Sequence, residues 1–166
     1  RAPSLFIHVD GAQTWGARAA DLRAMGCDSF SGSAHKWYLG PRETGMLYVR
    51  ADRQDEVAAT VVSIPWGGDV TPEVTGARRY EALGQRDDAA IAALAETVAW
   101  HDALTPAAVE RASSAVAERL REGVEDLGLP LVSNGHPDFR SSVVILRAGD
   151  GARRRLPGVG AVAVAV

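Results

Sequence analysis

The sequence predicts an α/β fold, and three features of its pattern carry that expectation. Short apolar runs alternate with helical pieces over residues 5–50, and two long helical patterns followed by one more strand occupy residues 87–146. In addition, the apolar run Leu5–Val9 ends in Asp10, Gly11 and the amide of Gln13. That is the sequence of a buried strand whose first polar groups lie past its end, where open α/β sheets place their ligands.

The elements follow in order. Leu5–Val9 is the first expected strand, and Thr14–Ala17 turns the chain into a short helix, Ala17–Met25, with Leu22 and Met25 three apart on one face. Gly26 stops it as a C′ glycine would. Ser29–Ser33 reads as a second strand, Lys36 lies in the loop after it, and Gly45–Arg50 reads as a third strand beyond the turn Arg42–Gly45. A weak helical pattern spans Arg53–Thr60, and the Pro and Gly of Ile64–Asp69 break it. Asp87–Leu104 is the first long helix, with Ile91, Leu94, Ala95, Val98 and Leu104 at helical spacing and an aspartate at its N-terminus. Pro106 opens a second helix, Ala107–Leu127, in which Val109, Val116, Leu120, Val124 and Leu127 recur at helical spacing, and Gly128 ends it. Ser142–Leu146 is the next strand, and the domain boundary is expected at 104–105. After the arginine cluster Arg153–Arg155, the tail Gly158–Val166 offers no polar face in either period, and both an edge strand and an artefactual reading are open for it. No internal repeat is visible.

Composition excludes several classes. With 166 residues, 46% hydrophobic and 23% charged, the chain can bury a core and is not a disordered tail. A net charge of −3 with scattered arginines gives no footprint for nucleic acid. No apolar run reaches the roughly 20 residues of a membrane span, and neither a signal peptide nor a disulfide framework can be read, so a cytoplasmic location is expected. The one cysteine, Cys27, lies between Gly26 and Asp28 and reads as a small buried hydrophobe.

The chemistry centres on Ser33-Ala34-His35-Lys36-Trp37. Lys36 has small, aromatic and turn-forming neighbours rather than charged ones. Partial burial there disfavours an ammonium and leaves a nucleophilic amine, as Schiff-base chemistry requires. The bland alternative is a lysine snorkelling along Trp37. Asp10 is either a functional carboxylate or a turn aspartate at a strand end.

Taken in order, Val9-Asp10-Gly11-Ala12-Gln13, Gly26-Cys27-Asp28, Ser33-Ala34-His35-Lys36-Trp37 and Gly40–Val49 resemble the class V aminotransferase family of fold-type I pyridoxal-phosphate enzymes. That family includes cysteine desulfurases, selenocysteine lyases and isopenicillin-N-epimerase-like proteins. The resemblance implies a three-layer α/β domain with a mostly parallel mixed sheet. Residues 1–104 would be the C-terminal part of the large cofactor-binding domain and 105–166 the start of a small α/β domain, so a fragment of a longer protein is expected. It implies pyridoxal 5'-phosphate as cofactor, with Lys36 forming the Schiff base, Asp10 at the ring nitrogen, Gln13 at the phenolic oxygen, and Ser33 and His35 on the phosphate.

The stretch Arg79–Asp87 resembles the segment that reaches the neighbouring subunit's phosphate, which makes Gly84 and Gln85 candidates and implies a homodimer, although Gln85 stands where the family has Thr. The implied substrate is an amino acid. No cysteine follows Cys27, which disfavours direct desulfuration, while transamination, carbon–sulfur lysis and epimerisation stay open. Gly84-Gln85-Arg86-Asp87 leans toward the isopenicillin-N-epimerase-like and lyase branch. Arg140, Arg147 and Arg153–Arg155 are loose candidates for a carboxylate clamp. Two rivals stand beside this reading: a metal-dependent hydrolase built on His8, Asp10 and His35, and a non-catalytic interaction module.

Overall fold

The computed structural model describes residues 5–60, 76–81, 86–147 and the backbone of 162–165. The chain divides into two units, Arg1–Pro106 and Ala107–Val166.

In the first unit, β1 (His8–Asp10), β2 (Ser29–Ser33) and β3 (Gly45–Val49) form a mixed sheet in the order β1-β2-β3. β1 runs parallel to β2, with His8 opposite Ser29 and Asp10 opposite Ser31. β3 runs antiparallel to β2, with Ser33 opposite Gly45. Side chains alternate across a sheet, so His8, Asp10, Ser29, Ser31 and Ser33 share one face, while Phe30 and Gly32 lie on the other. Among the described residues β1 is an edge strand, and its burial differs from expectation: His8 and Asp10 are exposed and Leu5 is 53% exposed. The paired segment starts late because the Ile7 N–H donates to the Asp28 carboxylate (2.8 Å), while the Ile7 carbonyl takes the backbone N–H groups of Asp28 and Ser29.

The short helix α1 covers only Leu22–Met25, not the whole of 17–25. Asp21 explains the difference. Its carboxylate accepts the N–H groups of Arg23 and Ala24, and this cap holds Asp21 extended, so no helix can run through it. Gly26 closes α1 in the left-handed region at φ 65°, as the sequence predicts. Residues 51–56, within and just before the weak helical pattern, form a 3₁₀ helix. Helix α2 (Asp88–Leu104) is capped by the Asp87 carboxylate on the Ala90 N–H.

The residue that α2 buries is His101, whereas Ile91, Val98, Trp100 and Leu104 are exposed. Apolar side chains lie all round this helix, so periodicity could not select the packed face. The remaining core of the unit is Ala17, Cys27, Phe30, Ala34, Tyr38 and Val49.

In the second unit, α3 (Pro106–Asp126) ends in a Schellman motif: the Leu129 N–H donates to the Val124 carbonyl and the Gly128 N–H to that of Glu125. Ala117, Arg121 and Val124 are its buried residues, whereas Val116 and Leu127 of the expected stripe are exposed. Arg121 donates to the Ser141 carbonyl (3.1 Å) and is balanced by Glu118 on the preceding turn. β4 (Val143–Leu146) pairs antiparallel with β5 (Val162–Ala165), so part of the tail forms a strand. Among the described residues no helix is long and apolar enough to cross a membrane.

Candidate functional site

The polar face of the sheet ends in two turns. The first follows β1. The Gly11 N–H bonds the Ser31 carbonyl (2.7 Å), and the Gly11 carbonyl takes the N–H groups of Thr14 and Trp15, folding the chain back. Only glycine fits at position 11, because a Cβ there would lie 1.9 Å from Phe30 Cζ. Asp10 Oδ1 accepts the Ala12 N–H at 3.0 Å. One carboxylate oxygen thus shapes the turn while the exposed residue keeps a second acceptor. Both sequence-based roles of Asp10 are compatible with this geometry.

The second turn carries Lys36. Ser33 ends β2, the Ala34 N–H bonds the Thr44 carbonyl, the Gly40 N–H bonds the Ala34 carbonyl at 2.7 Å, and the Leu39 N–H returns to the Lys36 carbonyl at 3.0 Å. Leu39 closes the loop at φ 58°, a left-handed conformation that a branched apolar residue adopts only under tertiary constraint. Lys36 and Ser33 are half-buried, and His35 is exposed.

The constraint on this loop is aromatic. Tyr38 is sandwiched between Trp15, with ring centroids 4.1 Å apart, and His101, at 4.0 Å. His101 Nε2 lies 3.0 Å from the Tyr38 carbonyl. Because a carbonyl only accepts, the proton sits on Nε2. Burial pushes the Tyr38 phenol pKa up, and the charge of Asp102 adds to the shift. Gly32 leaves room for Trp15, since a Cβ there would lie 2.7 Å from the indole Cε3.

The two turns are joined directly. Trp37 Nε1 donates to Gln13 Oε1 at 2.9 Å, tying the residue after the lysine to the amide beyond the strand end. The structure therefore brings the Asp10–Gln13 turn and the Ser33–Trp37 loop together at the end of the parallel pair β1–β2. Trp37 has a polar role, and Trp15, Tyr38 and His101, which no local motif marks, hold the loop beside it. The signal available was the aromatic pair at 37–38 directly after Lys36.

One expectation is corrected. Among the described residues no three His, Cys, Asp or Glu side chains could hold a metal ion, so His8, Asp10 and His35 do not form a metal triad. His8 is instead committed to β2 hydroxyls, with Nδ1 2.7 Å from Ser29 Oγ and Nε2 3.3 Å from Ser31 Oγ. Arg140, a loose clamp candidate, pairs with Glu118 at 2.7 Å and donates to the Gly135 carbonyl. Gly84, Gln85 and Arg153–Arg155 lie outside the described residues. A pocket of about 170 Å³ is lined by Trp15, Phe30, Tyr38, Met46 and His101 among others, and by none of Asp10, Gln13, Ser33, His35 or Lys36.

Comparison with known proteins agrees with this arrangement. Isopenicillin N epimerase of Streptomyces clavuligerus is 29% identical over 91% of the chain and 41% of its own length. Cysteine desulfurase IscS of Vibrio atlanticus is 33% identical over 84% of the chain and 31% of its own length. The chain thus spans about two fifths or less of the length of these relatives. Among solved structures, the apo cysteine desulfurase of Thermococcus onnurineus superposes with a TM-score of 0.72 at 22% identity, over 93% of this chain and 37% of that one. A C-DES variant with glycine covalently linked to its PLP cofactor gives 0.75 at 24% identity, over 88% and 39%. The fold is therefore the α/β fold of these fold-type I enzymes. The family described as aminotransferase class-V matches residues 1–150, and with its two motif-bearing turns joined at one sheet end the chain belongs to that family.

Proposed function

We propose that the chain is part of a pyridoxal-phosphate enzyme acting on an amino acid. Residues 1–104 belong to its cofactor domain and 105–166 begin its small domain. The observation that carries the reading is the Gln13–Trp37 hydrogen bond, which joins the carboxylate turn to the lysine loop. The donor set at this place fits the cofactor's functional groups: one carboxylate, one amide, one hydroxyl, one imidazole and one amine are carried by the two turns at the end of the parallel strands.

When bound, the cofactor supplies an electron-withdrawing ring that stabilises negative charge at the substrate Cα. The chain's residues divide the remaining work. The Asp10 carboxylate would hold a proton on the ring nitrogen, which keeps that ring electron-poor. The Gln13 amide N–H would donate to the phenolic oxygen, and the Ser33 hydroxyl and His35 imidazole would donate to the phosphate. Lys36 Nζ would hold the cofactor at its carbonyl carbon, and the same amine would be the group placed to move a proton at the substrate Cα.

The overlap with isopenicillin N epimerase across 91% of the chain supports an epimerase-type or lyase-type outcome. Cys27 is buried beneath α1 with its thiol toward the Leu22 carbonyl, which argues against its serving as a sulfur acceptor. A homodimer completed through Gly84 and Gln85 is part of the same proposal.

Incubation with pyridoxal phosphate, borohydride reduction and peptide mass spectrometry test it, on this chain and on a longer protein carrying it. The expected result is cofactor mass on Lys36, abolished by Lys36→Ala. Label scattered over other lysines in both proteins, or no label in either, would overturn it.

A further inference from the structure

Trp37 sits beside the reactive lysine, yet its indole does not simply fill space. Its N–H points to the side-chain oxygen of Gln13, 24 residues earlier in the chain, at 2.9 Å. An amide side chain has one accepting end and one donating end of nearly equal size, and an exposed glutamine can present either. An indole N–H can only donate. Whichever end of Gln13 meets Trp37 must therefore be the oxygen, and the NH2 end is the one turned elsewhere.

The donor is itself held in place. Trp37 follows Lys36 in a loop closed by the Gly40–Ala34 and Leu39–Lys36 backbone bonds. The next residue, Tyr38, is locked between Trp15 and His101. The anchor of the indole is thus far stiffer than the exposed glutamine it contacts.

We propose that Trp37 is a positioning residue that fixes the flip state of Gln13, so that this amide presents N–H donors, and not its oxygen, to an anionic phenolate oxygen. The inference rests on the cofactor reading above. A donor on a phenolate stabilises its negative charge and lowers its proton affinity, whereas an amide oxygen in the same place would raise it.

The test is the pH midpoint of the visible absorption change of the protein carrying pyridoxal phosphate, read without substrate. Gln13→Ala is expected to raise the midpoint by about one unit, the scale of one hydrogen bond to a charged oxygen. Trp37→Phe is expected to raise it by a smaller amount in the same direction. The double variant should shift no further than Gln13→Ala alone, because both changes act on one interaction. Gln13→Glu keeps the acceptor for Trp37 but lacks the NH2, and should shift at least as far as Gln13→Ala. That variant guards against a Trp37→Phe protein that fails to fold.

A wild-type midpoint in Trp37→Phe beside a shifted one in Gln13→Ala would overturn the role of Trp37 and leave the cofactor reading intact. So would additive shifts in the double variant. Unshifted Gln13 variants would remove the amide as a donor. Lack of any cofactor on Lys36 of the wild-type protein would remove both readings together.

Discussion

His101 Nε2 and the main-chain carbonyl of Tyr38 lie 3.0 Å apart, with the two rings stacked at 4.0 Å and 8°. A residue on α2 thereby holds the loop that presents Lys36, by one buried hydrogen bond and one ring face. His101→Ala removes both and leaves a cavity, and should destabilise the first unit by about 3 kcal/mol. His101→Phe keeps the stack but orphans the carbonyl, and should cost about 1–3 kcal/mol. Urea unfolding followed by tryptophan fluorescence measures both. Equal losses for the two variants would show that stacking contributes nothing.

The tight fit of Trp15 over Gly32 predicts a local change rather than global loss. Gly32→Ala places a methyl 2.7 Å from the indole, so Trp15 must shift against its stack on Tyr38. The expected overpacking cost is about 1–3 kcal/mol. Near-ultraviolet circular dichroism should lose aromatic signal while the far-ultraviolet spectrum holds.

Asp28 is fully buried, accepts the Ile7 N–H at 2.8 Å and lies 3.1 Å from Arg50. Asp28→Ala would leave Arg50 without this partner and the Ile7 N–H without its acceptor at the start of β1. A loss of about 1–3 kcal/mol is expected, the scale of leaving one buried donor without its acceptor. Denaturant midpoints measure it. Arg50 also pairs with Asp52 on the surface, so Arg50→Ala should cost less than Asp28→Ala.

Tyr38 carries a pH dependence whose sign follows from burial. Its phenol pKa is raised in the folded chain, first by desolvation and then by Asp102. Below the ordinary phenol pKa of about 10 both folded and unfolded chains hold the proton, and stability is unaffected. As pH rises through that value the unfolded chain ionises first, so stability falls until the folded phenol also ionises. Thermal melts above pH 10 should show this fall in the wild-type chain, and it should be reduced in Tyr38→Phe. An unchanged alkaline slope in that variant would assign the effect to other groups.

Local patterns sufficed for much of this protein. The α/β alternation, the strand at Ser29–Ser33, the Gly26 and Gly128 stops, the Asp87 start of α2 and the placement of Lys36 in a loop all rest on short-range chemistry: period, caps and glycine's access to positive φ. The positions of the motif residues Asp10, Gln13, Ser33, His35 and Lys36 were legible for a related reason, since each lies within a few residues of a strand end, while their roles came from the family resemblance alone.

Contacts between distant segments were not legible. The extent of β1 was set by Asp28, 21 residues away from Ile7, and the packed face of α2 by Tyr38, 63 residues away from His101. Gln13 and Trp37 met across 24 residues. His8, which shares a face with Asp10 as strand spacing requires, was drawn away from any metal role by the serines of β2. Each outcome depended on which side chain the fold delivered opposite. A helix apolar on every side, or a histidine beside a carboxylate, has several possible partners of similar chemistry, and only three-dimensional pairing chooses among them.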